Sequence, residues 1–315
     1  MFSRFRRRGL CRVLLAVTPA ISVAACEPEQ PPAEAVEAWS PPPDSLIPHD
    51  SLGTSIRRGL AILEHTPDSL PTYATSSLNC TSCHLEGGRR AGAAPLLGVN
   101  GRFPGYLARA GAVVPIEDRI NYCMTRSLAG YRLPSDSREM QDIVAYLGYL
   151  SKGLPFGASP EGLGFPAIPA LEGDSARGAG VYAARCATCH GPEGEGGAYP
   201  RAPALWGPGS YSIGASMAIV ERAAAFIRHN MPLSAPGTLT DQEAWDVAAY
   251  INGHARPDTP GKEEDWPFGG APKGVPYATV GRVPERASAV LPRANAQDAL
   301  VPVPRSVRAP SPRLH

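Results

Sequence analysis

Cys80-Thr81-Ser82-Cys83-His84 and Cys186-Ala187-Thr188-Cys189-His190 are two complete C-x-x-C-H motifs in one chain of 315 residues. In this spacing two thiols add to the vinyl groups of a porphyrin as thioethers, and the adjacent histidine falls beneath the iron as its proximal ligand. A zinc site or a redox dithiol can also use C-x-x-C, but neither calls for a histidine directly after both pairs. The motifs therefore predict two covalently bound haem c groups. Cys80, Cys83, Cys186 and Cys189 carry the attachments, and His84 and His190 the iron.

A low-spin haem needs a sixth ligand, and its identity sets much of the potential. After the second motif the candidates are Met217, His229, Met231 and His254. Met231 stands in Asn230-Met231-Pro232-Leu233, where proline shapes a loop able to carry a thioether to iron, so His190/Met231 ligation is expected. After the first motif the candidates are Cys123, Met124 and Met140, none of them in such a loop. Residues 116–128 read as one helix, with Ile116, Ile120, Cys123 and Ser127 along one face and Arg119 a turn before the cysteine. A cationic neighbour lowers a thiol's pKa and suits a thiolate ligand. An inert Cys123 beside an ordinary Met124 ligand fits the same local pattern.

The elements that must position these groups are helical. Residues 55–63 and 175–189 read as entry helices, and residues 137–150 and 240–252 as closing helices. The last opens with a capping box, Thr240 at the N-cap and Glu243 three residues on. Gly59 and Gly178 on the entry helices, with Tyr146 and Tyr250 on the closing ones, predict a close crossing in each unit. The fold class is all-α: two tandem class I cytochrome c domains with extended linkers and an irregular C-terminal tail. The boundaries are 1–25 for a signal peptide, 26–50 for a proline-rich tether, 51–155 for domain 1 and 156–173 for a linker. Domain 2 follows at 174–256, then an extension and disordered tail at 257–315. Strand content should be close to zero. Each unit is short enough that the porphyrin must supply much of its apolar core.

The first residues bear on compartment. Arg4, Arg6, Arg7, Arg8 and Arg12 precede an apolar run from Val13 to Ala25 that is too short to span a bilayer. Val23-Ala24-Ala25-Cys26 fits a bacterial lipobox, which predicts a periplasmic lipoprotein held to the membrane through Cys26. Of seven cysteines, four take haem, Cys26 takes lipid and Cys11 leaves with the signal, so Cys123 alone lacks an assignment. Removing residues 1–25 takes the formal charge from +1 to −4. No basic stripe with interleaved aromatics is present, which argues against nucleic-acid binding.

Several segments together resemble the thiosulfate dehydrogenase family, dihaem cytochromes c that join two thiosulfates into tetrathionate. They are Gly101-Arg102-Phe103-Pro104-Gly105-Tyr106-Leu107-Ala108-Arg109-Ala110-Gly111, Ile116-Glu117-Asp118-Arg119-Ile120, Cys123, Arg126-Ser127, Leu133-Pro134 and Glu139-Met140. Asp265-Trp266-Pro267 and Pro276-Tyr277 resemble the family's C-terminal extension, and the similarity spans roughly residues 52–277. The resemblance implies His84/Cys123 ligation at the active-site haem, with Arg109, Arg119 and Ser127 in an anion pocket and Arg126 a further candidate. It implies thiosulfate or a related small sulfur anion as substrate, and a soluble cytochrome c or a terminal oxidase as electron acceptor. Where the family commonly has Phe after the ligand cysteine, this chain has Met124. Two other readings are a tethered dihaem electron carrier without its own substrate, marked by Met ligation at both haems, and a tetrathionate reductase.

Overall fold

In each half of the chain an entry helix and a closing helix cross at a glycine. The computed structural model describes residues 39–279 apart from 161 and 198–201. The signal peptide, the lipidation residue Cys26, residues 27–38 of the tether and the tail after 279 lie outside the described residues.

The first half contains α1 (Ser51–Glu64), the short turns α2 (Thr66–Ser69) and α3 (Leu85–Gly88), α4 (Ile116–Tyr122) and α5 (Arg138–Tyr149). The second contains α6 (Ser175–Arg185), α7 (Ala187–His190), α8 (Val220–Asn230) and α9 (Asp241–Asn252). Asp50 caps α1 by accepting from Gly53 N, Ser137 caps α5, and Thr240 with Glu243 forms the expected capping box on α9. The expected second entry helix is broken at Cys186, so the haem-binding motif starts a separate turn, α7.

The two crossings are built alike. A methyl group on Gly59 would lie 2.1 Å from the Asp142 carbonyl oxygen and 2.8 Å from Tyr146 Cβ. A methyl on Gly178 would lie 2.0 Å from the Asp246 carbonyl oxygen and 2.8 Å from Tyr250 Cβ. Each closing-helix aspartate also takes an arginine of the entry helix, Arg58 on Asp142 and Arg177 on Asp246. Because backbone occupies the space, Gly59→Ala should cost about 1–3 kcal/mol by overpacking. A urea midpoint unchanged by that substitution would contradict the geometry.

Three parts depart from the expected organisation. Residues 39–50, read as the end of a tether, pack on the first half instead. Ile47 joins its core, Trp39 Nε1 donates to the Lys152 carbonyl at 3.1 Å, Tyr149 Oη to the Pro43 carbonyl at 2.7 Å, and Arg89 pairs with Asp44. Pattern reading weighted the prolines and undervalued Trp39 and Ile47. The linker at 156–173 is also bound: Phe165 meets Phe226 edge-on at 5.7 Å, and Gly162 and Gly164 accept from Gly92 and Ala94. Finally, a two-stranded antiparallel hairpin, β1 (Gly105–Leu107) and β2 (Ala112–Val114), pairs Tyr106 with Val113. With three residues per strand, no period-two signal was there to be read.

The halves are interlocked. Tyr211, Ala215 and Ala218 belong by sequence to the second unit but pack in the first core, and Met217 touches both cores. Residues 257–279 of the extension are ordered: Trp266, Val275 and Tyr277 pack with Ile219 in a third cluster. No described helix is long and apolar enough to cross a membrane.

Candidate active site

A cavity of about 650 Å³ opens beside the first motif, with Cys80, Cys83 and His84 in its wall. None of the four motif cysteines is in a disulfide.

His84 is set by the backbone. Its Nδ1 lies 2.5 Å from the Ala94 carbonyl oxygen, so Nδ1–H donates and the Nε2 lone pair is free for a metal. Ala94 presents that carbonyl from φ +46°, a left-handed conformation that costs energy in a non-glycine residue and is held here by the Gly164 contact. In the second half His190 Nδ1 meets the Pro203 carbonyl at 2.9 Å, the same device at the second motif.

Cys123 faces His84. It does not continue α4 as the pattern suggested, because residues Cys123–Ser127 form a π-turn, in which a wider hydrogen-bond ring shifts side chains around the axis. Such insertions in helices often mark functional positions. Arg119 Nη1 donates to Cys123 Sγ at 3.0 Å. Burial by itself raises the Cys123 pKa, but the Arg119 charge and hydrogen bond, with His84 alongside, outweigh it and bring the thiol down to about 6. Arg119 is raised in turn by the Cys123 charge, against its burial. A lowered pKa favours the thiolate form of Cys123.

The neighbouring methionine is placed differently. Met124 is 2% exposed and packed in the first core, and it does not line the cavity. Met140 is equally buried in that core.

Of the residues expected in the anion pocket, Arg119 and Ser127 line the cavity and Arg109 does not. The Arg109 guanidinium is drawn away by the Gly214 carbonyl at 2.7 Å, the Trp266 ring at 4.3 Å and Asp265 at 3.8 Å. Arg126 is likewise taken up by Asp265, through Nε at 2.9 Å and Nη2 at 2.5 Å. The attraction lies in the C-terminal extension, some 140 residues along the chain, which local pattern could not weigh. Two cations in the wall were missed for the same reason, Arg222 of α8 and Lys273 of the extension.

Around the second motif, Met231 follows α8 and packs half-buried on the second core, as does Cys186. His254 is occupied, stacked on Trp206 at 4.1 Å with Nδ1 donating to the Tyr250 carbonyl. Met217 lines the first cavity. His229 Nε2 is buried without a partner among the described residues, as is Arg102 Nε beside the Arg119 charge. The paired cysteines and the anchored histidines suit a covalently bound haem at each motif.

Comparison with known proteins gives two family matches: the SoxA/TsdA cytochrome c domain over residues 72–156 and cytochrome c over residues 175–255. The two domains show two covalently attached c-type haems. A thiosulfate dehydrogenase of Psychrobacter arcticus is 43% identical over 240 residues, covering 74% of this chain and 73% of its own. One from Allochromatium vinosum is 43% identical, covering 73% of this chain and 87% of its own. The solved thiosulfate dehydrogenase (TsdBA) of Marichromatium purpuratum, in its as-isolated form, is 37% identical with a TM-score of 0.67. It matches 74% of this chain, which spans about half of that one, 53%.

Proposed function

Because the chain belongs to the thiosulfate dehydrogenase family, we propose that it oxidises thiosulfate to tetrathionate in the Cys123 cavity and passes the electrons through its second haem to an acceptor. The observation that carries this reading is the Cys123 sulfur, 3.0 Å from Arg119 in the same cavity wall as Cys80, Cys83 and His84. A pure electron carrier has no use for a cysteine sulfur held by arginine in a cation-lined cavity, and Met124, its expected ligand, is packed in the core.

The haems, when bound, supply two one-electron acceptors in one molecule. Arg119 and Ser127 hold the sulfonate of the first dianion by charge-assisted hydrogen bonds, which partly offset the repulsion between substrate and thiolate. The Cys123 sulfur joins the outer sulfur of thiosulfate, and the two electrons released in forming that S–S bond leave for the two haems. The outer sulfur of a second thiosulfate then attacks the thiosulfate-derived sulfur of that bond. Tetrathionate forms, and the Cys123 thiolate departs as leaving group with the bonding pair. Arg119 stabilises that thiolate at both ends of the cycle.

His190 and Met231 would hold the second haem, and thioether ligation would raise its potential and suit it to pass electrons on. The acceptor is a soluble cytochrome c or a terminal oxidase. The start of the sequence supports export and lipid anchoring in the periplasm through Cys26. The test is to add thiosulfate anaerobically to the oxidised holoprotein and follow the α-band of ferrous haem c together with tetrathionate. Both haems should reduce at a stoichiometry of two thiosulfates per two haems. Reduction by dithionite but none by thiosulfate would sink the reading. Tetrathionate added to the reduced protein measures the reverse direction, and faster reverse than forward turnover would favour a reductase.

A further inference from the structure

Joining two dianions requires two places to hold them, and the cavity wall shows where the second must be. Its cations are Arg119, Arg222 and Lys273. Arg119, bonded to Cys123, already serves the first seat with Ser127. Arg109 and Arg126 are spent on Asp265 and lie outside the wall. That leaves Arg222 and Lys273, which come from α8 and from the C-terminal extension rather than from the haem-1 domain.

Both have capacity to spare. Arg222 uses Nη1 on Ser216 Oγ at 3.0 Å, and no carboxylate pairs with its guanidinium among the described residues. Its charge is felt as far as Arg109, which is lowered first by burial and also by the repulsion of Arg126 and Arg222. Lys273, exposed at the rim, has no hydrogen-bond or ion-pair partner among the described residues. The single carboxylate of the wall is Glu221, also exposed at the rim. It has no ion-pair partner among the described residues, and it opposes anion entry.

We propose that Arg222 and Lys273 form a second oxyanion seat in this cavity, which takes the sulfonate of the thiosulfate that arrives second. This rests on the function proposed above and specifies its substrate geometry: the active site is composite, with one seat from the first half and one from the second half and extension. It also gives the extension a role in the reaction. A haem-1 carboxylate is the other oxyanion that can reach the same cations, and the experiment separates the two.

Lys273→Gln, Arg222→Gln and Glu221→Gln are prepared as holoproteins, and KM, kcat and the haem-1 midpoint potential are measured for each. The expected result is a KM for thiosulfate raised about ten- to a hundredfold in Lys273→Gln and Arg222→Gln, the loss of one charge-assisted hydrogen bond. The haem-1 potential should stay unchanged, Lys273→Arg should restore KM, and Glu221→Gln should lower it. A shifted haem-1 potential with unchanged KM would hand the seat to the porphyrin carboxylate and overturn the assignment. Unchanged KM and potential in both cation variants would overturn the seat altogether. Failure of the underlying function is separately visible, because wild-type haem would then not be reduced by thiosulfate. In that case sulfite, as an oxyanion probe, still perturbs the wild-type haem-1 spectrum and not that of Lys273→Gln if the seat is real.

Discussion

Cys123→Ala abolishes thiosulfate-driven haem reduction while leaving the protein folded, with both haems attached and the second haem still reducible by a chemical donor. The expected loss is on the order of a thousandfold or more, the scale seen when a covalent nucleophile is removed from an enzyme. The reason is that Cys123 has two duties in the proposed cycle, and no neighbour can assume either. Met124 cannot take its place without leaving the first core. Arg119, 3.0 Å away, can stabilise a thiolate but is no nucleophile. Two further measurements separate ligand from nucleophile. Low-temperature EPR of the oxidised wild type should show the narrow g spread of a thiolate-bound low-spin haem, and Cys123→Ala should lose it. Cys123→Met should keep a low-spin haem with a raised potential and still fail to turn over. Full activity in Cys123→Ala, with a spectral change instead in Met124→Ala, would establish the carrier reading and dismiss the enzyme.

How far the residues alone reached depends on the range of the interactions involved. The haem attachments were legible because the chemistry is contained in five consecutive residues. The helix crossings were legible because Gly59 and Gly178 lie on the buried faces of periodic helices whose partners carry Tyr146 and Tyr250. Cys123 could be placed on an inward face, but the π-turn that carries it could not, since inserting one residue into a helix leaves no mark on a 3.6-residue period. Arg109 was placed in the anion pocket by resemblance, and only the fold shows its guanidinium stacked on Trp266. Arg222 and Lys273 carry no motif at all. They reach the cavity because residues 211–222 and the extension fold back over the first half, a long-range effect with no local signature.

Asp265→Asn should be the most destabilising single change outside the helix cores, by about 3–5 kcal/mol, the cost of breaking a buried ion pair and leaving its partners charged. Asp265 is 1% exposed and gathers three side chains from three parts of the chain: Arg126 bidentately, Arg109 at 3.8 Å and Tyr277 Oη at 2.8 Å. Arg126 belongs to the π-turn that carries Cys123, and its own carbonyl accepts from the Ser212 hydroxyl of the second half. The carboxylate therefore ties the extension to the catalytic turn. Asparagine keeps the shape but leaves two desolvated guanidinium groups uncompensated, with Arg222 adding to the repulsion on Arg109. For about 240 ordered residues this corresponds to a lower unfolding midpoint by on the order of 10 °C. Replacing Arg126 by Met in the same protein should recover part of the loss, because one of the orphaned charges is then gone. The recovery distinguishes an electrostatic hub from simple packing: if Asp265→Asn and Arg126→Met prove additive, the two residues are not coupled and the latch does not exist. Thiosulfate oxidation should fall with Asp265→Asn even well below the melting temperature, since the turn that presents Cys123 loses its brace.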